Sequence, residues 1–391
     1  MINPPKISKL TTEEKLLMGP GPSNIHPETS LAMSKPILGH LDPDFLRILD
    51  ENQEMLRYVF QTKNTLTLPI SATGSAGMET CILNLVEPGD TVLIAINGVF
   101  GARMKDVAER SGAKVETLTA DWGSVFSLEE IEEGLKKFSP KVFGIVHAET
   151  STGAQQPMEG LGALVHKYDC LLLLDCVTSL GGTKVLIDEW EVDAVYSGTQ
   201  KCLSAPPGLS PVSFSQRAEE KMAGRKSKNR SWYFDLSMVK SYFGGERLYH
   251  HTAPINMNYS LHASLHEIVE EGLENRWKRH EKNHQILKAG LEALNIEFPV
   301  EEKYRLPQLN AVKIPEGVED VKIRNRMLEL HKIEIGSGLG AFKGKYWRIG
   351  LMGHTSRAQN VIRCLSALKE CFLHFGYPVP EDPIEKAYRH L

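Results

Sequence analysis

Several features that would narrow the function at once are missing from this sequence. Only six of its 391 residues are cysteine, and no two stand in CxxC spacing. That argues against a disulfide framework or zinc ribbon and fits reduced, mostly buried thiols in an intracellular protein. No apolar run is long enough to span a membrane, and the opening MINPPKISKL has no apolar core of signal-peptide length. Charge of one sign is scarce too: a net charge of -4 predicts no general attraction to nucleic acid or anionic membrane. No GxGxxG follows a first strand, and there is no GxxxxGK[ST] loop, no HExxH and no Cys–His grouping. Dinucleotide, nucleotide and metal-hydrolase signatures are therefore without support. Repeats and low-complexity tracts are absent, so long disorder is not expected, and the final YRHL gives no clear address. The densest basic run, KMAGRKSKNR (Lys221 to Arg230), reads as a solvated loop or helix end, or else as a binding patch.

What is present is an ordinary globular composition, 41% hydrophobic and 24% charged, in a chain long enough for more than one domain. From about residue 66 the pattern alternates. TLTLPIS, TVLIAIN, KVETLTA, KVFGIVHAE, LLLLDCV, VDAVYSG and SPVSFS read as strands. AGMETCILNLV, ARMKDVAERSG, SLEEIEEGLKKF and MEGLGALVHKY read as helices, the third opened by a Ser127/Glu130 capping box. Continuous apolar strands between amphipathic helices predict a mostly parallel sheet covered on both faces, with ligands bound outside the strands' carboxyl ends. Beyond about residue 255 the pattern changes: a long helical region from about Leu261 to Leu294, broken or kinked near Gly272, leads into LNAVKIP, DVKIRNRMLELH, IEIG, YWRIGLM and QNVIRCLSALKECFLHF. This predicts a smaller C-terminal α/β domain. The division expected is an arm over 1–15, a large domain over 16–270 and a small domain over 271–391.

The residues just past the strands hold the chemistry. SATGSAGMET places Thr73, Gly74 and Ser75 at a turn opening a helix, where free N–H groups and the helix dipole favour an anion. An ordinary capped turn is the alternative. Asp175 ends LLLLD, either as a cap or as a carboxylate kept charged by a partner. Lys201 follows the strand ending at Ser197, Gly198, Thr199 and Gln200. It is a catalytic amine if its surroundings lower its pKa, and otherwise a packed stem reaching water. Phe100, beyond LIAIN, is core or a stacking lid for a flat ligand. His147, Glu149, Thr150, Ser151 and Thr152 follow another strand. Arg348 interrupts the apolar YW-R-IGLM and needs an acidic partner or a substrate carboxylate. RLYHHTAP carries Tyr249, His250, His251 and Thr252, either a turn cluster or a contact to phosphate or substrate across a subunit boundary. Taken together, an anion turn, a ring cover, a strand-end aspartate, a strand-end lysine and an isolated arginine match what pyridoxal phosphate requires.

The chain resembles the class V, fold-type I pyridoxal-phosphate aminotransferases, within them the alanine–glyoxylate and serine–pyruvate group. The matching stretches are LLMGPGPSN, YVFQT, HAETSTG, LLLLDCVTSLGG, DAVYSGTQKCLSAPPG, YHHTAP, EGLENRW and WRIGLMG, spread from about residue 15 to 355. The resemblance implies that Lys201 holds the cofactor as a Schiff base and shuttles the proton, and that Asp175 pairs with its ring nitrogen. Val177 packs on the ring, and Phe100 stands where tryptophan usually covers the other face. Thr73, Gly74, Ser75 and Gln200 contact the phosphate, joined by Tyr249 and Thr252 from the other subunit. Ser75 replaces a frequent histidine. Thr150 meets the cofactor near its phenolic oxygen, Arg348 clamps the substrate α-carboxylate, and Thr150 and Gly21, in the GPGP loop at the mouth, also contact the substrate.

The implied protein is a homodimer with shared active sites, cytoplasmic or in an organelle such as the peroxisome. It would bind no nucleic acid and no membrane. It would pass an amino group from alanine or serine to glyoxylate or pyruvate by a ping-pong route. The alternatives are a 3-hydroxykynurenine transaminase or a cysteine desulfurase or lyase of the same fold. The latter needs a cysteine on a mobile loop, and GSGLGAFKGKY before Arg348 has none.

Overall fold

A computed structural model describes residues 2–391. Its main sheet has seven strands, in spatial order Leu66–Ile70, Ser210–Phe214, Ala194–Tyr196, Leu171–Asp175, Val142–Val146, Thr91–Ile96 and Lys114–Thr119. Ser210–Phe214 runs antiparallel to both neighbours, and every other pair is parallel. Successive residues of a strand face opposite sides, and the two hydrophobic cores sort accordingly. Leu171 and Leu173 enter one core with Ile94, Val212 and Phe214; Leu172 and Leu174 enter the other with Leu93, Phe143 and Val195. A strand apolar on both faces can only be interior, which is what the run LLLL encodes.

A second sheet places Tyr346–Gly350 between Leu309–Lys313 and Gly336–Ser337, all antiparallel. Trp347 and Ile349 pack into a third core with the helix Ala358–His374. Leu16 and Met18 join that core, and Leu16–Leu17 pairs in parallel with Ile333–Glu334. The beginning of the chain is thereby tied to its last third.

The Ser127/Glu130 capping box forms, and Gly272, with φ 76°, separates the helices Ile255–Glu271 and Leu273–Ala293. Two expected elements are shorter. The strand of KVFGIVHAE stops at Val146, and Ala148–Glu149 resumes as a hairpin with Ala154–Gln155. The helix of MEGLGALVHKY covers only Leu161–His166, because it starts after Gly160 in a left-handed conformation (φ 77°). The basic run is a helix end and loop anchored through Arg225, which donates to the carbonyls of Asn84 and Val86, and through the backbone N–H groups of Lys226 and Ser227, which donate to Glu87; the side chains of Lys226, Lys228 and Arg230 are exposed. The six cysteines are free and buried. Among the described residues no helix is long and apolar enough to cross a membrane.

Candidate active site

Two parallel strands end level with each other, so that Asp175 pairs in register with Tyr196. The Asp175 carboxylate is 3% exposed; it accepts the Val177 N–H at 2.8 Å and the Tyr196 hydroxyl at 2.6 Å. Neither donor is a cation. Burial dominates and pushes the carboxyl up to about 6 from its ordinary 3.8. The local sequence left a cap or an ion pair open for Asp175; the geometry is a buried, doubly hydrogen-bonded acid with no ion pair among the described residues.

Lys201 lies beyond the neighbouring strand and is 9% exposed. Burial, and secondly the positive charge of Arg348, lower its amine to about 8. Its Nζ donates to the Pro20 carbonyl. Gly21 has φ 101°, and a Cβ there would stand 2.5 Å from Nζ, so only glycine fits. Ser23 holds the backbone behind the lysine: its N–H donates to the Gln200 carbonyl at 2.9 Å and its hydroxyl to the Lys201 carbonyl at 2.8 Å.

The helix Gly74–Leu85 opens beside this loop. Thr73 at its N-cap makes no side-chain capping bond, and the Gly74 and Ser75 N–H groups have no partner among the described residues. A Cβ on Gly74 would lie 3.4 Å from the Gly198 Cα, so two glycines bring the helix start against the strand-end loop. Gln200 leaves its Oε1 buried without a partner. A helix terminus with open donors is an anion cradle.

Arg348, 6% exposed, sits on the central strand of the small sheet. Its Nε donates to the Ser337 carbonyl at 2.8 Å and its Nη1 to the Thr150 carbonyl at 3.3 Å. No carboxylate lies within 4.0 Å of it among the described residues. Burial lowers it to about 10, opposed by the charge of Glu149. Thr150 Oγ1 is 2.5 Å from Thr178 Oγ1. Glu149 in turn holds the backbone at Phe100: its carboxylate accepts the Phe100 N–H at 3.1 Å and the Ser151 N–H and hydroxyl at 3.0 and 2.6 Å. A Cβ on Gly98 would collide with that carboxylate. Phe100 is half-buried, with the Arg103 guanidinium 4.9 Å from its ring centroid, and Val177 is half-buried on the same core.

Lys201, Asp175, Val177, Thr150, Arg348, Phe100, Gly21, Gln200, Thr73, Gly74 and Ser75 therefore belong to one connected region. Tyr249 and Thr252 do not; both are exposed on the surface, Tyr249 at 62%. Sequence reasoning missed Tyr196, Ser23 and Thr178. Tyr196 had a signal, since two neighbouring strands that end level put their last residues side by side.

This fold and this arrangement of a softened amine, a cation-free carboxylate, an anion cradle and an unpaired arginine define a fold-type I transferase. The class-V aminotransferase family model matches residues 30–356, and the chain belongs to that family. Members are generally dependent on pyridoxal 5'-phosphate. Among its relatives is a Callithrix jacchus alanine–glyoxylate aminotransferase, 41% identical over 380 residues, 96% of this chain and 92% of that one. A solved alanine–glyoxylate aminotransferase from Nostoc sp. is 49% identical with TM-score 0.93, covering 94% of this chain and 97% of that one. The ureidoglycine–glyoxylate aminotransferase of Bacillus subtilis is 38% identical with TM-score 0.96, covering 98% and 99%.

Proposed function

We propose that this aminotransferase uses pyridoxal 5'-phosphate to move an amino group from alanine or serine to glyoxylate or pyruvate, as a homodimer with shared sites. The observation that carries the reading is the pairing of two cations that nothing neutralises: the Lys201 amine lowered to about 8, and Arg348 with no carboxylate partner. An amine and a guanidinium in one dry site suit a substrate that brings an aldehyde or amine at one end and a carboxylate at the other. The residues fit the cofactor: the uncapped helix start at Thr73 to Ser75 suits its phosphate, the buried Asp175 its ring nitrogen, and Phe100 and Val177 its flat faces.

When bound, the cofactor supplies an aldehyde for amine exchange and an electron-withdrawing ring. The chain does the rest. Lys201 carries the proton to and from the substrate α-carbon. Asp175, as the carboxylate, keeps the ring nitrogen charged. Arg348 fixes the α-carboxylate, Thr150 braces the cofactor near its phenolic oxygen, and the buried walls exclude water. The exposure of Tyr249 and Thr252 supports a role for them against a partner subunit. The break at Gly272 supports a junction between large and small domains near residue 270.

Lys201→Ala should abolish both turnover and the visible absorption of the bound cofactor; a variant that keeps both defeats the assignment. Relative kcat/KM for alanine, serine, (S)-ureidoglycine and 3-hydroxykynurenine, each with glyoxylate and pyruvate, identifies the donor and acceptor. Preference for 3-hydroxykynurenine would replace the small-donor reading.

A further inference from the structure

The helix Leu273–Ala293 turns five polar residues inward, at positions 276, 279, 280, 283 and 284, along one helical face. Arg276, 4% exposed, donates from Nε to the Gly181 carbonyl at 2.9 Å, from Nη2 to the Cys202 carbonyl at 2.7 Å, and from Nη1 to Glu271 at 2.7 Å. Glu271 also accepts two bonds from Arg279, at 2.5 and 2.9 Å. Arg279 then reaches the opposite way, donating from Nη1 to the carbonyls of Gly353 at 3.0 Å and Ser356 at 2.5 Å. His280 Nε2 accepts the Gly353 N–H at 2.9 Å, which leaves its Nδ1–H to donate to the Arg276 carbonyl at 2.7 Å; burial lowers its pKa to about 3 and keeps the ring neutral.

The places these groups hold are not arbitrary. Cys202 is the residue after Lys201, Gly181 closes the turn that leaves Asp175, and Gly353 and Ser356 follow the strand that carries Arg348. The loops also touch, since a Cβ on Gly353 would run into Ser204 and the Cys202 carbonyl. We propose that Glu271, Arg276 and Arg279 form a positioning clamp that ties the loop after Lys201 to the end of the strand carrying Arg348, and so fixes where the Arg348 guanidinium meets a substrate carboxylate. None of the three touches the reacting groups. Planar guanidinium forks suit the task because each can donate in two directions at once, and the shared carboxylate locks the two forks together. A small error in the separation of two binding groups costs far more than the contacts themselves. The inference rests on the roles of Lys201 and Arg348 proposed above.

The test compares the cofactor-loaded wild type with Arg279→Met, Arg279→Lys and Glu271→Gln. Three quantities are read: alanine KM and kcat with glyoxylate, cofactor affinity by spectral titration, and calorimetric affinity for propionate, which has the carboxylate but no amine. Arg279 secures the Arg348 side, so Arg279→Met should raise the alanine KM and weaken propionate about tenfold while cofactor affinity stays within about twofold. Arg279→Lys should recover part of the loss. Glu271→Gln, which keeps shape but loses charge, should move the same quantities in the same direction, and it decides the matter if Arg279→Met does not fold. Propionate affinity and alanine KM unchanged within about twofold overturn the clamp, as does a parallel loss of cofactor and propionate affinity, which is simple destabilisation. If the wild type transaminates no amino acid, the functional reading fails while the propionate comparison still reports on the clamp.

Discussion

Replacing Tyr196 with phenylalanine removes the hydroxyl that donates to Asp175 at 2.6 Å and leaves the ring in place. A hydrogen bond to a buried charged group contributes about 1.5–3 kcal/mol. At about 1.4 kcal/mol per pKa unit, its loss should lift Asp175 by about 1 to 2 above its present value of about 6. The folded acid already holds its proton more tightly than the unfolded one, whose ordinary value is 3.8. Its contribution to stability is therefore full below about pH 4 and disappears as the pH rises to about 6, a loss of roughly 3 kcal/mol. In Tyr196→Phe that loss should grow by about 1.5–3 kcal/mol and extend to about pH 7 to 8. Urea unfolding of the cofactor-free protein between pH 4 and 9 measures it. Asp175→Asn serves as the reference, because Glu87, Glu271 and Glu370, all lowered to about 2, change stability with the opposite sign. Only the ionised Asp175 can pair with a ring cation, so the variant's deficit in cofactor affinity should be about 5- to 50-fold at pH 6 and below about twofold at pH 9. Parallel unfolding curves for wild type and Asp175→Asn, or an equal affinity deficit at both pH values, would refute the account of Asp175.

Gly21→Ala forces a side chain into a φ of 101° with its Cβ 2.5 Å from the Lys201 amine. It should lower stability by about 1–3 kcal/mol and cut kcat at least about tenfold by displacing the amine; full activity in calorimetrically destabilised protein would remove Gly21 from the site. Arg348→Ala should raise the alanine KM by roughly 10- to 150-fold with cofactor affinity little changed. The same variant should let the Lys201 amine rise above about 8, since the Arg348 charge is one of the causes that lower it; a pH titration of cofactor capture reads this directly.

Much of the molecule was legible in its residues. LLLL feeds two cores because its neighbours alternate between them, and Gly272 breaks a helix because it adopts a positive φ. The helix Pro43–Phe60 also carries a periodic pattern, burying Phe45, Leu49, Leu56 and Phe60, yet it stands before the strand–helix alternation begins. Asp175 and Arg348 stood out because each is a charge in an apolar strand, and Lys201 because it follows the end of a buried one. Tyr196 and Ser23 did not, since their partners are set by register and by a loop from the far end of the chain. EGLENRW marked Glu271 and Arg276 but not what they hold, for a different reason. Arg276 and Arg279 bind mostly backbone carbonyls, and a carbonyl leaves no mark on the sequence.

The pairing of Leu16–Leu17 with Ile333–Glu334 bears on how the enzyme comes into being. The segment that begins in that pairing continues through Pro20, Gly21 and Ser23, which press on Lys201 and on the carbonyls behind it. Residues 16 and 17 are made long before Ile333–Glu334, so that pairing waits for the last third of the chain, whereas Ser23 can meet the Gln200 and Lys201 carbonyls sooner. The main sheet, whose last strand ends at Phe214, can form before that moment, but the segment over Lys201 stays untied at its other end. Contacts this distant in sequence are slow to close, so a newly made chain should acquire its sheet first and the full enclosure of Lys201 last.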